Sequence, residues 1–400
     1  MSRVEVLTLR RTPGPREIAL LGILLALAAF WLATPPLNTR SPLAPVLVGI
    51  LAVAAGIWAV SRGARRLGWV AVGTGIIGIA LGALATRSSV GKLDDVFAWS
   101  ALAASMLRFA TPLTFAAIGG MFSERSGVVN IGLEGMMLTG AFFGILGADK
   151  ADSWVIGVLV AMLAGGLLAL IHAFFSIHLR ADQIVSGTAI NFLALGVTGY
   201  FFIDIYGQQG TPGEIPAIPD VHLPQFLKDV YFFGDVFGQL NLLIWLSFVV
   251  LVGSYVLMFK TPLGLRIRSV GEHPRAADTV GISVYGIRYL SVTLSGVLAA
   301  LGGAYLSIGF THSFGENMTA GRGFIALAAV IFGNWRPFGA FGAALLFGFS
   351  SALAFRLDAF SESAATLFQA LPYVLTLIAV AGVIGRSIPP AAIGRPYTKQ

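Results

Sequence analysis

The residues able to do chemistry in this sequence are the few polar side chains set inside long apolar runs. The first group is SERSGVVNIGLEGMM, Ser123 to Met137. Asn130 and Glu134 stand four residues apart in it, a spacing that predicts one shared helix face. Gly127, Gly132 and Gly135 leave room for a second backbone or a ligand. A carboxylate within an apolar segment is costly and therefore a functional candidate; backbone donors or a neighbouring helix would satisfy it equally well, and both readings stay open. Pairing of Glu134 with Arg108 is not expected, because helical rise puts them about 20 Å and about 9 Å from the same membrane face. The second group is ADQIVSGTAINFLALG, where Gln183, Ser186, Thr188 and Asn191 cluster at a helix start. The hydroxyls can bond their own i−4 carbonyls, whereas a buried Asn191 amide needs several partners. The third is GRGFIALAAVIFGNWRPFG, with Phe324 near its start and Asn334 and Trp335 at a break. Amide and indole there suit a base or a sugar ring, and an interfacial tryptophan anchor fits the same pattern.

A fourth stretch, RIRSVGEHPRAADTVGIS, lies between apolar runs. Pro274 fits the first helical position, Arg275, Ala276, Ala277 and Asp278 continue two turns to Val280, and Gly281 suits a left-handed cap. Glu272, next to Gly271 and His273, then sits at the positive helix end. Such a helix suits docking into another protein's groove, and a solvated loop has the same pattern. Other chemistries lack their residues. Zero cysteines exclude disulfides and thiolate sites. No phosphate loop, H-E-x-x-H or G-x-S-x-G string occurs, so neither ATP binding by that loop nor metal or serine hydrolysis is supported, and no bound cofactor or metal is expected.

The elements that must position these groups follow from composition. Charged residues are 11% of 400, apolar residues 56%, and mean hydropathy is +0.83. An average globular protein carries about 25% charge, so a soluble surface cannot be built. Twelve apolar runs are long enough, or nearly so, to cross a bilayer: 18–34, 43–60, 67–85, 96–121, 128–147, 154–178, 184–206, 240–259, 286–310, 322–334, 338–355 and 365–385. The prediction is an all-α polytopic membrane protein with about 12 transmembrane helices. Placing the N-terminus inside puts 18 of the 26 basic residues on the cytoplasmic side, as the positive-inside rule requires. The net charge of +7 is thus topology, and no nucleic-acid partner is needed. Both termini are expected in the cytoplasm. Run 322–334, about 20 Å as a helix, is expected to be a short, broken span buried among neighbours, because parity needs it to cross.

Residues 1–90 read as a three-helix membrane addition with almost no intramembrane polar groups, 91–386 as the transporting core, and 387–400 as a cytoplasmic tail. LATPPLNTR lacks a small-x-small cleavage site, so the first span is expected to be retained. The outer loop from Gly207 to Gly238 reads as an ordered cap without regular structure. Neither it nor the inner loop from Lys260 to Tyr285 can enclose a core, so no soluble catalytic domain is expected. FAAIGGMFSERSGVVNIGLEGMMLTGAFFG and FIALAAVIFGNWRPFGAFGAALLFGFSSAL echo one another loosely, and internal repeats with broken helices commonly hold a substrate site between them.

At these residues the sequence resembles the permease subunits of bacterial ABC importers for simple sugars, branched-chain amino acids and nucleosides. ATPLTFAAIGGMFSERSGVVNIGLEGMMLTGAFFG and GRGFIALAAVIFGNWRPFGAFGAALLFG are similar to the two signature regions of that family, and VGEHPRAADTVGI to its ATPase-coupling segment. SGVVNIGLEGMM is most similar to the nucleoside, guanosine-type branch; sugar permeases tend toward a GGIDLSVGS-like string. The resemblance spans about residues 96–385. His273 stands where the coupling motif usually has asparagine, and histidine can cap similarly. The resemblance implies a subunit in the bacterial cytoplasmic (inner) membrane that forms half of a translocation pore. A second permease, paralogue or self, would form the other half. A partner ABC ATPase, which holds ATP and magnesium, would grip Gly271 to Gly281, and a lipoprotein substrate-binding protein would deliver a nucleoside. Asn130, Glu134, Gln183, Ser186, Asn191, Phe324, Asn334 and Trp335 are then candidates for the substrate pathway. The alternatives are a simple-sugar or branched-chain amino acid permease and, from another class, a proton-coupled carrier with Glu134 as its proton site. An intramembrane enzyme lacks any acid–base or nucleophile set.

Overall fold

Eleven of the twelve apolar runs are helical in the computed structural model, which describes residues 14–33, 43–85, 98–230, 232–358, 370 and 388–399. The twelfth run, 365–385, and the expected boundary at residues 90 and 91 lie outside the described residues. The chain divides into two compact units, Met1–Trp99 and Ser100–Gln400. Among the described residues, seven helices are long and apolar enough to cross a membrane. The protein is an all-α, multi-pass membrane protein.

In the first unit, α1 (Pro15–Ala33), α2 (Leu43–Ser61) and α3 (Arg65–Ala85) pack on one another. The buried face of α2 is Pro45, Gly49, Ala52, Gly56 and Ala59, a stripe of small residues that lets backbones approach closely. A Cβ on Gly56 would lie 2.7 Å from the Gly68 carbonyl oxygen. Outward stand Leu24, Leu47, Leu51, Trp69 and Ile76, a surface suited to hydrocarbon.

The second unit is built around α4 (Trp99–Arg125) and α5 (Leu133–Ala151). Next come α6 (Trp154–Ala173), extended by a π-helical turn to His178, and α7 (Gln183–Tyr206). After α8 (Leu242–Lys260), two short helices, α9 (Pro262–Glu272) and α10 (Pro274–Thr279), precede α11 (Val284–Ala304) and its π-helical continuation Tyr305–Thr311. The series ends with α12 (Arg322–Phe332) and α13 (Pro337–Asp358). α5 is central and packs on α6, α7, α11 and α12. Its crossing with α11 is possible because Gly140 lies against Ala300 and Gly303 against the Met137 carbonyl, with no space for a Cβ at either glycine.

The structure corrects three sequence expectations. The run 128–147 becomes helical only at Leu133, because residues 126–132 are unwound; Asn130 and Glu134 therefore share no helix face. Run 322–334, expected to be short and broken, is an eleven-residue helix, about 16 Å long, preceded by the non-helical stretch 312–321. The Gly207–Gly238 loop does carry regular structure. β1 (Asp220–His222) pairs antiparallel with β2 (Gln239–Asn241), and two single helical turns lie between them. Trp335 presents no open stacking face, being 4% exposed. Each difference is tertiary in origin: partners far away in sequence satisfy backbone or ring groups that a local reading leaves to helix or solvent.

Candidate functional site

Unwinding a helix inside an apolar bundle frees backbone groups that must find other partners. At residues 126–132, side chains from four helices, α4, α6, α7 and α11, supply them. α4 closes with the Ser123 hydroxyl donating to the Val128 carbonyl at 2.8 Å. Gly127 follows at φ +94°, where a Cβ would also lie 2.9 Å from Nη2 of Arg288. The Val129 N–H donates to Oε1 of Gln183 at 2.7 Å, and its carbonyl lies 3.1 Å from Nε2 of His172. A carbonyl only accepts, so Nε2 carries the proton, and Nδ1 accepts from the Ser186 hydroxyl at 3.0 Å. Asn130 donates to Ser295 of α11 at 2.9 Å. Asn191 bridges the start of α5, donating to the Ile131 carbonyl at 3.0 Å and accepting from the Gly135 N–H at 2.8 Å. The segment climbs with α11, from Arg288 beside Ser126 to Ser295 beside Asn130, about 10 Å of helical rise.

Glu134, in the first turn of α5, caps the half-helix. Its two carboxylate oxygens accept from the Gly321 N–H at 2.8 Å and the Gly323 N–H at 2.6 Å. A negative charge is favoured at that helix end, and Gly323 is required because a Cβ there would overlap the Glu134 backbone. Thus Asn130, Gln183, Ser186 and Asn191 converge on one unwound segment, with Glu134 adjacent. Thr188 only bonds its own i−4 carbonyl, that of Ile184. Phe324 is 48% exposed and stands apart.

Asn334 and Trp335 belong to the opposite end of α12, each with positive φ near 52°. The Trp335 indole N–H donates to the buried Glu124 carboxylate, and Nε of Arg125 donates to the Trp335 carbonyl at 2.9 Å. Asn334 accepts from the Ile388 N–H at 3.0 Å. At this end of the bundle α9 and α10 meet at His273, Pro274 holds the first helical position, and Gly281 follows at φ +82°. Residues 388–399 cross them. The Ala391 N–H donates to Oε2 of Glu272 at 3.1 Å, the Ala392 N–H to the Gly271 carbonyl at 2.9 Å, and the Gly394 N–H to the Gly127 carbonyl at 3.1 Å. Arg288, 1% exposed, donates to the carbonyls of Ser126 at 3.3 Å and Arg395 at 3.1 Å. The tail therefore touches both the α9–α10 pair and the unwound segment. Between pair and tail lies a groove of about 460 Å³, with Glu272, His273, Pro274, Arg275, Ala276 and Tyr397 among its walls. Burial, then a hydrogen bond to Asp278, raises the Tyr397 phenol above its ordinary pKa, so it remains a donor at neutral pH. Ala277 is buried beneath, and Asp278 is half-buried.

Sequence reading missed His172, Ser295, Arg288 and Glu124. His172, Ser295 and Arg288 are polar residues within apolar runs, and Glu124 stands in the polar string SERS at the end of α4. The available signal was the cost of burying such a group without a partner.

A permease for guanosine from Bacillus subtilis, described as "Guanosine ABC transporter permease protein NupQ", is 45% identical over 77% of this chain and 99% of its own length. The "Nucleoside ABC transporter permease protein NupC" of Lactococcus lactis is 41% identical over 74% of this chain and 96% of its own. A "Putative glucose ABC transporter permease protein" of Haloferax volcanii is 35% identical over 63% of the chain and 76% of its own. No solved structure matches. Residues 102–380, which carry the unwound segment, the capped half-helix and the α9–α10 pair, match the family described as branched-chain amino acid transport system / permease component, and the chain belongs to that family.

Proposed function

We propose that this chain is the permease subunit of an ATP-driven nucleoside importer, one half of a pore whose other half is a second permease. The carrying observation is its similarity, over nearly their whole length, to permeases named for guanosine and nucleosides. In this reading the α9–α10 pair, Gly271 to Gly281, faces the cytoplasm and receives a separate ATPase that holds ATP and magnesium. A lipoprotein delivers substrate at the other side of the bacterial cytoplasmic membrane, and both termini lie inside. Closure of the ATPase would push α10, and the tail would carry that push to the Gly127 carbonyl and Arg288. Two packings of the unwound segment would then serve inward-open and outward-open states. Asn130, Gln183, Ser186 and Asn191 hold the backbone of that segment, which supports a role in setting its position. Glu134, fully used as a helix cap, argues against the proton-carrier reading.

The similarity to a glucose-named permease favours a simple sugar as the second reading. One experiment separates these readings: uptake of labelled guanosine and of glucose, in a host lacking its own nucleoside uptake, by this chain with its ATPase, second permease and binding protein. Guanosine uptake that disappears when the ATPase cannot hydrolyse ATP, and survives a protonophore at constant ATP, is the expected result. Uptake that persists without hydrolysis would overturn the ATP-driven reading, and glucose uptake alone would overturn the nucleoside assignment.

A further inference from the structure

At the end of the Ser100–Gln400 unit away from α9 and α10, a cavity of about 450 Å³ opens between α4, the β1–β2 ribbon and the π-helical end of α11. None of the residues assigned a role above lines it. One wall is aromatic. Phe310, 38% exposed, stacks on the buried Tyr305 with ring centroids 6.1 Å apart and 24° between planes, and Phe109 meets Phe310 edge-on at 5.6 Å. The π-helical turn Tyr305–Thr311 carries both stacked rings, and such turns recur at functional sites.

The facing wall is polar. Gln239 donates to Asp220 at 3.2 Å across the ribbon. Asn241 pins the floor: it donates to the carbonyls of Ile218 and Gly309 and accepts from the Leu243 N–H. Arg108 completes the wall. It lies nine residues into α4, about 14 Å from the helix start, within an apolar span. Its side chain is exposed and, among the described residues, makes no hydrogen bond. A guanidinium at that depth must face water or a polar partner and not hydrocarbon. The cavity supplies that surrounding, next to an aromatic face that is also open.

We propose that this cavity is a recognition site for a nucleoside, a planar base joined to a hydroxylated ring. The proposal rests on the nucleoside reading above and deepens it. The base lies on Phe310, as stacking on an aromatic face requires. Arg108 donates to acceptors on the base edge, and Asp220 accepts from the ribose hydroxyls. A hexose has hydroxyls for the polar wall but neither a π-face for Phe310 nor a base edge for Arg108. With Asn241 already fully bonded, the floor is preformed, as small-molecule sites commonly are.

The test uses the whole transporter, with guanosine, 2′,3′-dideoxyguanosine and glucose as probes. Phe310→Ala is expected to raise the KM for guanosine by about tenfold, the scale of one lost base–aromatic stack, with maximal rate nearly unchanged, and Phe310→Tyr is expected to restore it. Asp220→Asn is expected to erase the preference for guanosine over the dideoxy analogue. A purely structural role would lower maximal rate alike for both compounds. Photolabelling of the unaltered transporter with 8-azidoguanosine, read by peptide mapping, does not depend on any variant folding; label within 305–312 is expected. Guanosine uptake with unaltered KM in all variants, or label confined to other segments, overturns this site while leaving the importer reading intact. Glucose uptake without guanosine uptake overturns both.

Discussion

Glu134 and Glu124 are carboxylates inside apolar helices, and each is held by donors that a local reading does not reveal. Glu134→Ala removes both acceptors from the start of α12 and is expected to cost about 1–2 kcal/mol, the scale of a lost helix cap. Glu134→Gln keeps one acceptor and is expected to cost less and to preserve ATP-driven uptake. Thermal unfolding of the detergent-purified subunit and uptake assays check the two in parallel; abolished uptake with unaltered stability in the Gln variant would restore a proton-carrying role. Trp335→Phe strips the indole donor from buried Glu124 and is expected to destabilise by about 1–3 kcal/mol. A double-mutant cycle with Glu124→Gln measures that coupling, and additive effects would contradict it. Asn130 and Glu134 show how much was legible at this scale. Their residue types announced buried polar groups that needed partners. The partners, Ser295 and the Gly321 and Gly323 amides, come from segments more than 160 residues away.

The decisive element is the unwound stretch 126–132, tied to the end of α4 by local bonds and held along its length by side chains of α6, α7 and α11. Asn191→Leu removes two bonds from the start of α5, each worth about 1 kcal/mol net and more when its buried partner is left unpaired. Its expected signature is reduced uptake while the ATPase still co-purifies. Loss of co-purification would instead assign Asn191 to global folding. Gly127→Ala meets both a positive φ and Arg288, so a stability loss of at least about 1 kcal/mol is expected, read from the same melting experiment. Hydropathy located eleven helices to within a few residues because burying apolar side chains in lipid is a local property of each run. It overran the start of α5, since Val128, Val129 and Ile131 are as apolar as a helix needs. What unwinds them is the supply of donors and acceptors on other helices.

For the whole molecule, the family match begins at residue 102, beyond the α1–α3 unit. Removal of residues 1–85 is expected to leave ATP-driven uptake within about twofold per inserted transporter, since those residues lie outside the family match; uptake per copy and membrane insertion measured together decide it. The tail has the opposite standing. Ending the chain before Ile388 removes the bonds to Asn334, Glu272, Gly271 and Gly127, and the expected outcome is ATP hydrolysis with little uptake. The sequence alone determined that this is a multi-pass helical membrane protein, where eleven of its helices lie, and which short strings carry the permease resemblance, because hydrophobicity, charge placement and turn chemistry act over a few residues. The tertiary structure decided which helices break, what Glu134 and Trp335 bind, where the tail runs, and that Arg108, Asp220 and Phe310 share one cavity. Those outcomes are pairings between groups distant along the chain, and a buried polar group accepts whichever partner the packed helices bring within about 3 Å.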